Sequence, residues 1–423
     1  MTGKLTNTQN TMSQSKDVTP SSPTPSNLKV DIFDSFDELA PMQQEWDNFV
    51  ESVGGEIFLT YDWCRIWWKY YGKNRTLRVF VFRINNELLG IIPLFFEKIW
   101  LGPVFVRAVK IVGSDFTIAQ FSLPIDGKHL KHVVREFFNS ISRYRWDIIH
   151  IGPLAGLFEH RQDLETTFRE SLVNKHTMLS NTKCDQTYFL LPNKWDDYLA
   201  SLKKGERWDI KRSYSALQPD KIPLTSAFAS VNDFDQIFEG FVEMHQSYWQ
   251  SIGKLGHFGD WPSSRAFHKE VAVAQLIRDR LRLLEVTSGN QSLGYEYNYK
   301  LGDRYFEFLN ARSTAEDLTK ISLGRVVFCE QAKKALTEGV KSIDSMQGRY
   351  EHKLRLGGAL YPCRSLYIIR NKLSSMIKVS IFRALASLLD LFYYRIWFCR
   401  LAAKLPLKRN PLWRIWIKTC FFS

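Results

Sequence analysis

The clearest patterning in the chain lies between Leu281 and Gly357. Three largely apolar or alternating runs, Leu281–Thr287, Gln291–Lys300 and Arg304–Ala311, predict strands. Ser288-Gly289-Asn290 and Leu301-Gly302-Asp303 join them with the short Gly/Asn/Asp turns that hairpins need. A polar loop (Arg312–Lys320), a helix starting near Ser322, a strand at Val340–Ile343 and the segment Asp344–Gly357 follow. A meander, a helix and one more strand make an α+β core. They also set a helix N-terminus beside the sheet, where an anion is favoured.

The first half repeats this pattern, though not the letters. Helical spacing over Phe36–Val53 puts Leu39, Met42, Trp46 and Phe49 on one side, and Tyr61–Tyr71 is an aromatic helix closed by Gly72. Leu77–Ile84 and Leu88–Phe96 are strands around Asn85-Asn86. Short strands at Val109–Gly113 and Asp147–Ile151 flank a helix at Leu130–Tyr144. Further helices are expected at Trp195–Ser201, Phe234–Ser251 and Arg265–Asp279. The expected architecture is therefore α+β: two similar lobes of mixed sheet flanked by helices, at 28–190 and 191–370, then an amphipathic helical tail at 371–423. Residues 1–27, rich in Ser, Thr, Pro, Asn and Gln, are expected to be disordered.

Composition narrows the class. Apolar residues make up 45% of 423, enough for real cores. The six cysteines form no CxxC pair, which favours thiols in a reducing compartment over disulfides. No uncharged apolar run approaches the roughly 20 residues of a membrane span, so a cytoplasmic protein is expected. Of the net charge of +13, Lys372–Ser423 carries +9 (ten Lys/Arg against Asp390), leaving +4 for the other 371 residues. A basic end of this kind describes a tail with its own partner.

Some residues carry a family resemblance. Phe58, Trp63 and Trp67 on the aromatic helix, then Gly90-Ile91-Ile92-Pro93-Leu94, resemble the bacterial acetyltransferase family linked to cellulose biosynthesis (CelD-like). That family is a branch of the GNAT superfamily related to the Fem-type peptidyltransferases. In the second half Arg207 and Arg212, His245 and Trp249, Gly256 and Phe258, Ser322-Leu323-Gly324, Asp344, Gly348 and Lys353 follow the family order. Ser345 stands where an aromatic is usual and His352 where tyrosine is. The resemblance implies tandem GNAT-like lobes with the second catalytic, and acetyl-CoA or another acyl-CoA as co-substrate without a metal. It further implies a small-molecule or glycan amine acceptor in cell-surface polysaccharide or glycolipid biosynthesis. Two other readings stay open: a Fem-type aminoacyl-tRNA-dependent transferase, and a non-catalytic adaptor of a polysaccharide synthesis complex.

Acyl transfer to an amine needs held phosphates, stabilisation of a developing oxyanion and a base. Lys320, Ser322, Leu323, Gly324 and Arg325 suit the holding of phosphates, with Ser322 to cap the helix, Gly324 to admit a ligand to the backbone, and the cations to add charge. The alternative there is an ordinary capped helix. His245 shares a helix face with Trp249, as base or stacking acceptor site, or merely as a structural histidine. Glu296 is placed to take an amine proton through water. Asp344 is placed to orient the amine, with Lys353 paired to it or to a phosphate; a buried salt bridge is the alternative. Arg207 and Arg212, in a basic stretch from Lys203, are candidates for an anionic acceptor or a solvated face. In the tail, Lys378, Arg383, Asp390, Arg400 and Lys404 fall within about 140° at 100° per residue, beside many aliphatic and aromatic positions. That arrangement suits an anionic membrane surface, peripheral at the inner face, better than nucleic acid, and packing on the body is its alternative.

Overall fold

The computed structural model describes residues 27–117, 121–155, 161–172, 175–217, 224–254, 256–315, 318, 321–402, 404–405 and 411–423. The segment expected to be disordered lies outside this set apart from Asn27, and so does Lys320. The first unit begins with β1 (Leu28–Phe33), α1 (Gln43–Ser52), α2 (Tyr61–Tyr71), β2 (Thr76–Ile84) and β3 (Glu87–Leu101). It continues through β4 (Val104–Ile111), α3 (Leu130–Ile141), β5 (Ile148–Leu154), α4 (Arg161–Ser171) and β6 (His176–Leu190). Helices α5 (Trp195–Ser201) and α6 (Lys204–Ala216) lead to β7 (Leu224–Phe228), α7 (Phe234–Ser251), α8 (His257–Asp260) and α9 (Ser264–Ile277). Then come β8 (Leu281–Ser288), β9 (Gln291–Leu301), β10 (Arg304–Arg312), α10 (Leu323–Thr337), β11 (Ser342–Gln347), α11 (Glu351–Arg355) and β12 (Ala359–Arg370). The tail is α12 (Leu373–Leu389), a π-helical stretch at Asp390–Leu401 and α13 (Trp413–Thr419).

These strands share one sheet, ordered β1-β2-β3-β4-β5-β12-β6-β11-β10-β9-β8-β7. Each unit is a four-stranded antiparallel meander, then a helix and a strand parallel to the meander's last member: β5 beside β4, and β11 beside β10. The units then exchange strands. β6, which follows β5 in the chain, pairs with β11, while β12, which follows β11, pairs with β5 and β6. The expected α+β architecture of mixed sheet and flanking helices is what forms.

Periodicity finds the meanders because their strands carry apolar runs. It does not reveal β6, β7 or β12. β6 reads HTMLSNTKCDQTYFL and β12 carries Pro362, so neither has the alternation of a self-sufficient strand. They are held by the neighbours on either side of them in the sheet. Helix α2 ties the two units into one core. Its Trp63 meets Phe58 at 4.9 Å and, from the second unit, Tyr299 at 5.2 Å and Phe267 at 5.9 Å.

The tail folds back over the first unit. Val379, Phe382, Ala386 and Phe422 are buried with Val106, Ile148 and Tyr367. A buried ion cluster anchors its end: Arg75 meets Asp115 at 2.6 Å and Glu97 at 3.0 Å, Lys110 meets Asp115 at 2.7 Å, and Lys418 pairs with Glu97. Helix α12 sits opposite to the sequence expectation. The arc bearing Lys378, Arg383 and Asp390 is the one turned toward the body, since Val379, Phe382 and Ala386 lie within it. Arg383 donates to the Phe422 carbonyl at 3.2 Å, and Asp390 accepts from Arg395 at 2.7 Å and from Trp416 at 3.1 Å. Polar groups on the inner face find partners in the body, and that satisfies them as water otherwise would. Among the described residues no helix is long and apolar enough to cross a membrane.

Candidate active site

β10 and β11 pair only from Arg304↔Ser342 to Phe306↔Asp344. β10 then bulges between Glu307 and Leu309 against β9, and the register of β11 with β6 breaks between Asp344 and Gln347. The strands therefore diverge, and one residue from each side of the split, Leu309 and Gln347, lines a cavity of about 1080 Å³. The cavity walls come from distant parts of the chain: His245 and Trp249 on α7, Trp261, Tyr350, and the tail's Tyr394 and Trp416. Tyr394 and Trp416 stack with ring centroids 3.9 Å apart, and Trp413 stacks on Phe398 at 4.6 Å. An aromatic wall of this kind offers flat faces to a sugar ring or an acyl chain.

His245 is the titratable group that the cavity singles out. Its Nδ1 lies 2.8 Å from the Asn310 carbonyl on β10. A carbonyl only accepts, so Nδ1 carries the proton and Nε2 presents a lone pair. Nε2 is buried without a partner. Burial holds the imidazole below its ordinary pKa, with the Asn310 hydrogen bond opposing. A neutral imidazole with a fixed tautomer and a free Nε2 is a general base awaiting a proton donor. His257, which lines the same cavity, faces His268, Nε2 to Nε2, at 2.9 Å. Both are held far toward the neutral form by burial, His268 down to about 3.

The other expected site residues are dispersed. Glu296 lies on the face of β9 opposite the tyrosines, fully buried, with Oε2 unpartnered. Burial and then the neighbouring Glu307 push its carboxyl well above the usual range, while Lys353 opposes. Glu307 accepts from Ser345 Oγ at 2.7 Å. The Asp344–Lys353 pair does not form. Lys353 Nζ donates to the Ser345 carbonyl instead, while Asp344 accepts from Gln186 at 2.7 Å and from the Met346 amide at 2.9 Å. Asp344 is raised to about 6, chiefly by burial. Trp249 shares the cavity with His245, but Arg207 and Arg212 do not. Arg207 donates to the Ala200 and Leu202 carbonyls, and Arg212 lies over the Trp208 ring at 4.9 Å, on an α6 that packs against α10.

At the start of α10, Ser322 holds the N-cap position, yet its hydroxyl makes no cap bond. Leu323 is buried. Arg325 is engaged by Glu206 at 2.9 Å and Asp209 at 3.5 Å, so it anchors α6 and is not free for a phosphate. Gly324 is exposed, and among the described residues a Cβ there would meet the Arg312 guanidinium, 3.9 Å away. That bare turn, with Arg312 beside it, fits an anionic ligand such as the pyrophosphate of an acyl-CoA. Among the described residues no group of three or more His, Cys, Asp and Glu can hold a metal ion.

Several members of the site leave no usable signal in the sequence. The Asn310 carbonyl and Gln186 carry no mark there, and the tail aromatics read as part of a separate surface. Glu307 was readable, because in the β9–β10 hairpin it falls opposite Asn298, on the same face as Glu296.

Residues 207–354 match the family model of an acetyltransferase (GNAT) domain. No curated protein matches the chain. Among solved structures, FemX superposes with a TM-score of 0.57 at 12% identity, covering 79% of this chain and 98% of that one. A conserved protein of unknown function from Bacteroides thetaiotaomicron (TM-score 0.47, 9% identity, 81% and 100% covered) and L-PGS from Bacillus licheniformis (0.47, 8%, 81% and 96%) are also similar. The fold is shared with FemX, and residues 207–354 carry the GNAT-type domain. The protein is an acyltransferase, with its matched domain in the second unit.

Proposed function

We propose that this chain is an acyl-CoA-dependent N-acyltransferase whose acceptor amine binds in the cavity beside His245. The observation that carries it is the buried, unpartnered Nε2 of His245, a residue that lines the cavity beside the split between β10 and β11. The thioester donor rests its phosphates on the open turn at Gly324, with Arg312 alongside, and its acyl end passes through the split. His245 Nε2 takes the proton as the amine nitrogen bonds to the thioester carbon; the C–S bond then breaks, and the departing thiolate takes that proton from the imidazolium to leave as the CoA thiol. Trp249 and the tail aromatics hold the acceptor by stacking, which favours a sugar or glycolipid amine in cell-surface biosynthesis.

Calorimetric titration with acetyl-CoA tests the donor half. Gly324→Glu, which meets no close protein atom at its Cβ, is expected to fold normally and to abolish binding through bulk and like charge. Unchanged binding in that variant refutes the proposed phosphate seat. Absence of acetyl-CoA binding in the native protein, with transfer supported by a charged tRNA, replaces the donor altogether.

A further inference from the structure

The outer face of the tail is apolar where a surface helix ordinarily shows polar groups. Leu373, Ile377, Ile381, Ala384 and Leu388 fall within about 80° along α12. They lie opposite the buried arc, and Leu373 is 74%, Ile377 51% and Leu388 50% exposed. A second exposed apolar group, from a different part of the chain, stands beside them. Trp100, at the β3–β4 turn, is 51% exposed. Its ring lies 4.8 Å from that of Phe105, and Phe105 is joined to α12 by Lys378, whose Nζ sits 5.0 Å from its ring. Lys98 lies 4.6 Å from the Trp100 ring, Lys372 precedes the stripe in the chain, and Arg400, Lys404 and Arg414 are exposed further along the tail. The tail's one acidic residue, Asp390, is buried and bonded. The outward charge is therefore positive around an aliphatic stripe with a tryptophan at its flank.

We propose that this face docks on an anionic lipid surface, with α12 lying in the interface and Trp100 as a second anchor, and that the acceptor is an amine carried by a lipid of that bilayer. Aliphatic residues enter the acyl boundary, cations meet anionic headgroups, and an exposed tryptophan sits at the headgroup level. A second copy of this chain is a poorer occupant, since it would bring the same positive rim against itself. Leu391 and Arg395, both exposed, also line the cavity. Docking thus brings the cavity mouth to the bilayer, so that a headgroup reaches His245 without leaving its leaflet. The lipid acceptor rests on the transferase reading above, whereas the docking does not.

Co-sedimentation of the full-length protein with vesicles tests the docking. Native protein is expected to pellet with phosphatidylglycerol-containing vesicles and to remain in solution with phosphatidylcholine alone. Ile377→Glu/Ile381→Glu/Leu388→Glu changes exposed positions outside the cavity and should lower the bound fraction at least about tenfold, with acetyl-CoA binding unchanged. Equal pelleting of both proteins, or pelleting of neither, overturns the docking. So does a native dimer that the triple variant splits while neither binds vesicles. Acetyl transfer to phosphatidylethanolamine in such vesicles, lost in the triple variant, supports the lipid acceptor. Transfer to dissolved glucosamine with none to the vesicle-borne amine overturns it. Vesicle binding by a protein that binds no acetyl-CoA and transfers nothing from it or from a charged tRNA overturns the transferase reading and leaves docking standing.

Discussion

Asparagine in place of His245 keeps one of the imidazole's two roles and removes the other. Its side-chain amide occupies the position of Nδ1 and can still donate to the Asn310 carbonyl, which His245 reaches at 2.8 Å. Nothing replaces Nε2. The fold should therefore stay within about 1 kcal/mol of native, whereas alanine gives up that hydrogen bond as well, at a cost of about 0.5–1.5 kcal/mol. Loss of a positioned base lowers turnover by about 10²–10⁴-fold, or about 3–5 kcal/mol of barrier. The acid dependence follows from burial, which holds the imidazole below its ordinary value of 6.5. Turnover in the native protein should be level through neutral pH and fall about tenfold per pH unit once the pH drops below that depressed value. The assay follows free CoA thiol with a chromogenic disulfide, using acetyl-CoA and an amino-sugar acceptor. A His245→Asn protein that keeps more than about a tenth of native turnover, or keeps the acid limb, refutes the base assignment.

Other outcomes follow from the buried charges. Asp344 is raised from 3.8 to about 6 and is fully buried. Its contribution is present below pH 3.8 and lost as pH rises through about 6, amounting to about 3 kcal/mol. Asp344→Asn should thus flatten the stability profile between about pH 4 and pH 7 in urea titrations, and an unaltered profile contradicts it. Arg75→Met removes the cation that bridges Asp115 and Glu97 in the ion cluster under the tail, leaving Asp115 to Lys110 and Glu97 to Lys418. It should cost about 1–3 kcal/mol of lost charged hydrogen bonds, read as a lowered melting temperature together with proteolytic release of the tail. A native-like melting curve shows that the cluster does not anchor it.

Much of the framework could be read from the sequence because the meanders carry their own apolar code. The turns Ser288-Gly289-Asn290 and Leu301-Gly302-Asp303 placed β8–β10 to within a residue or so. His245 and Trp249 were found together because a helix brings positions four apart onto one face. What stayed hidden depends on pairing between segments far apart in the chain. β6 and β12 have meaning only beside each other, and Gln186 meets Asp344 across 158 positions. The orientation of α12 was also not legible. Its charged arc reads as solvent-facing until Phe422, Tyr367 and Trp416 are known to lie beneath it.

The exchanged strands have a consequence for how this molecule is made. β5 exposes an unpaired edge until residues 359–370 arrive, and β6 waits for β11 and β12. Neither half can close while the ribosome is still working through the middle of the gene. Newborn chains therefore carry open strand edges for most of their synthesis, a hazard for clumping that holdase chaperones exist to mask.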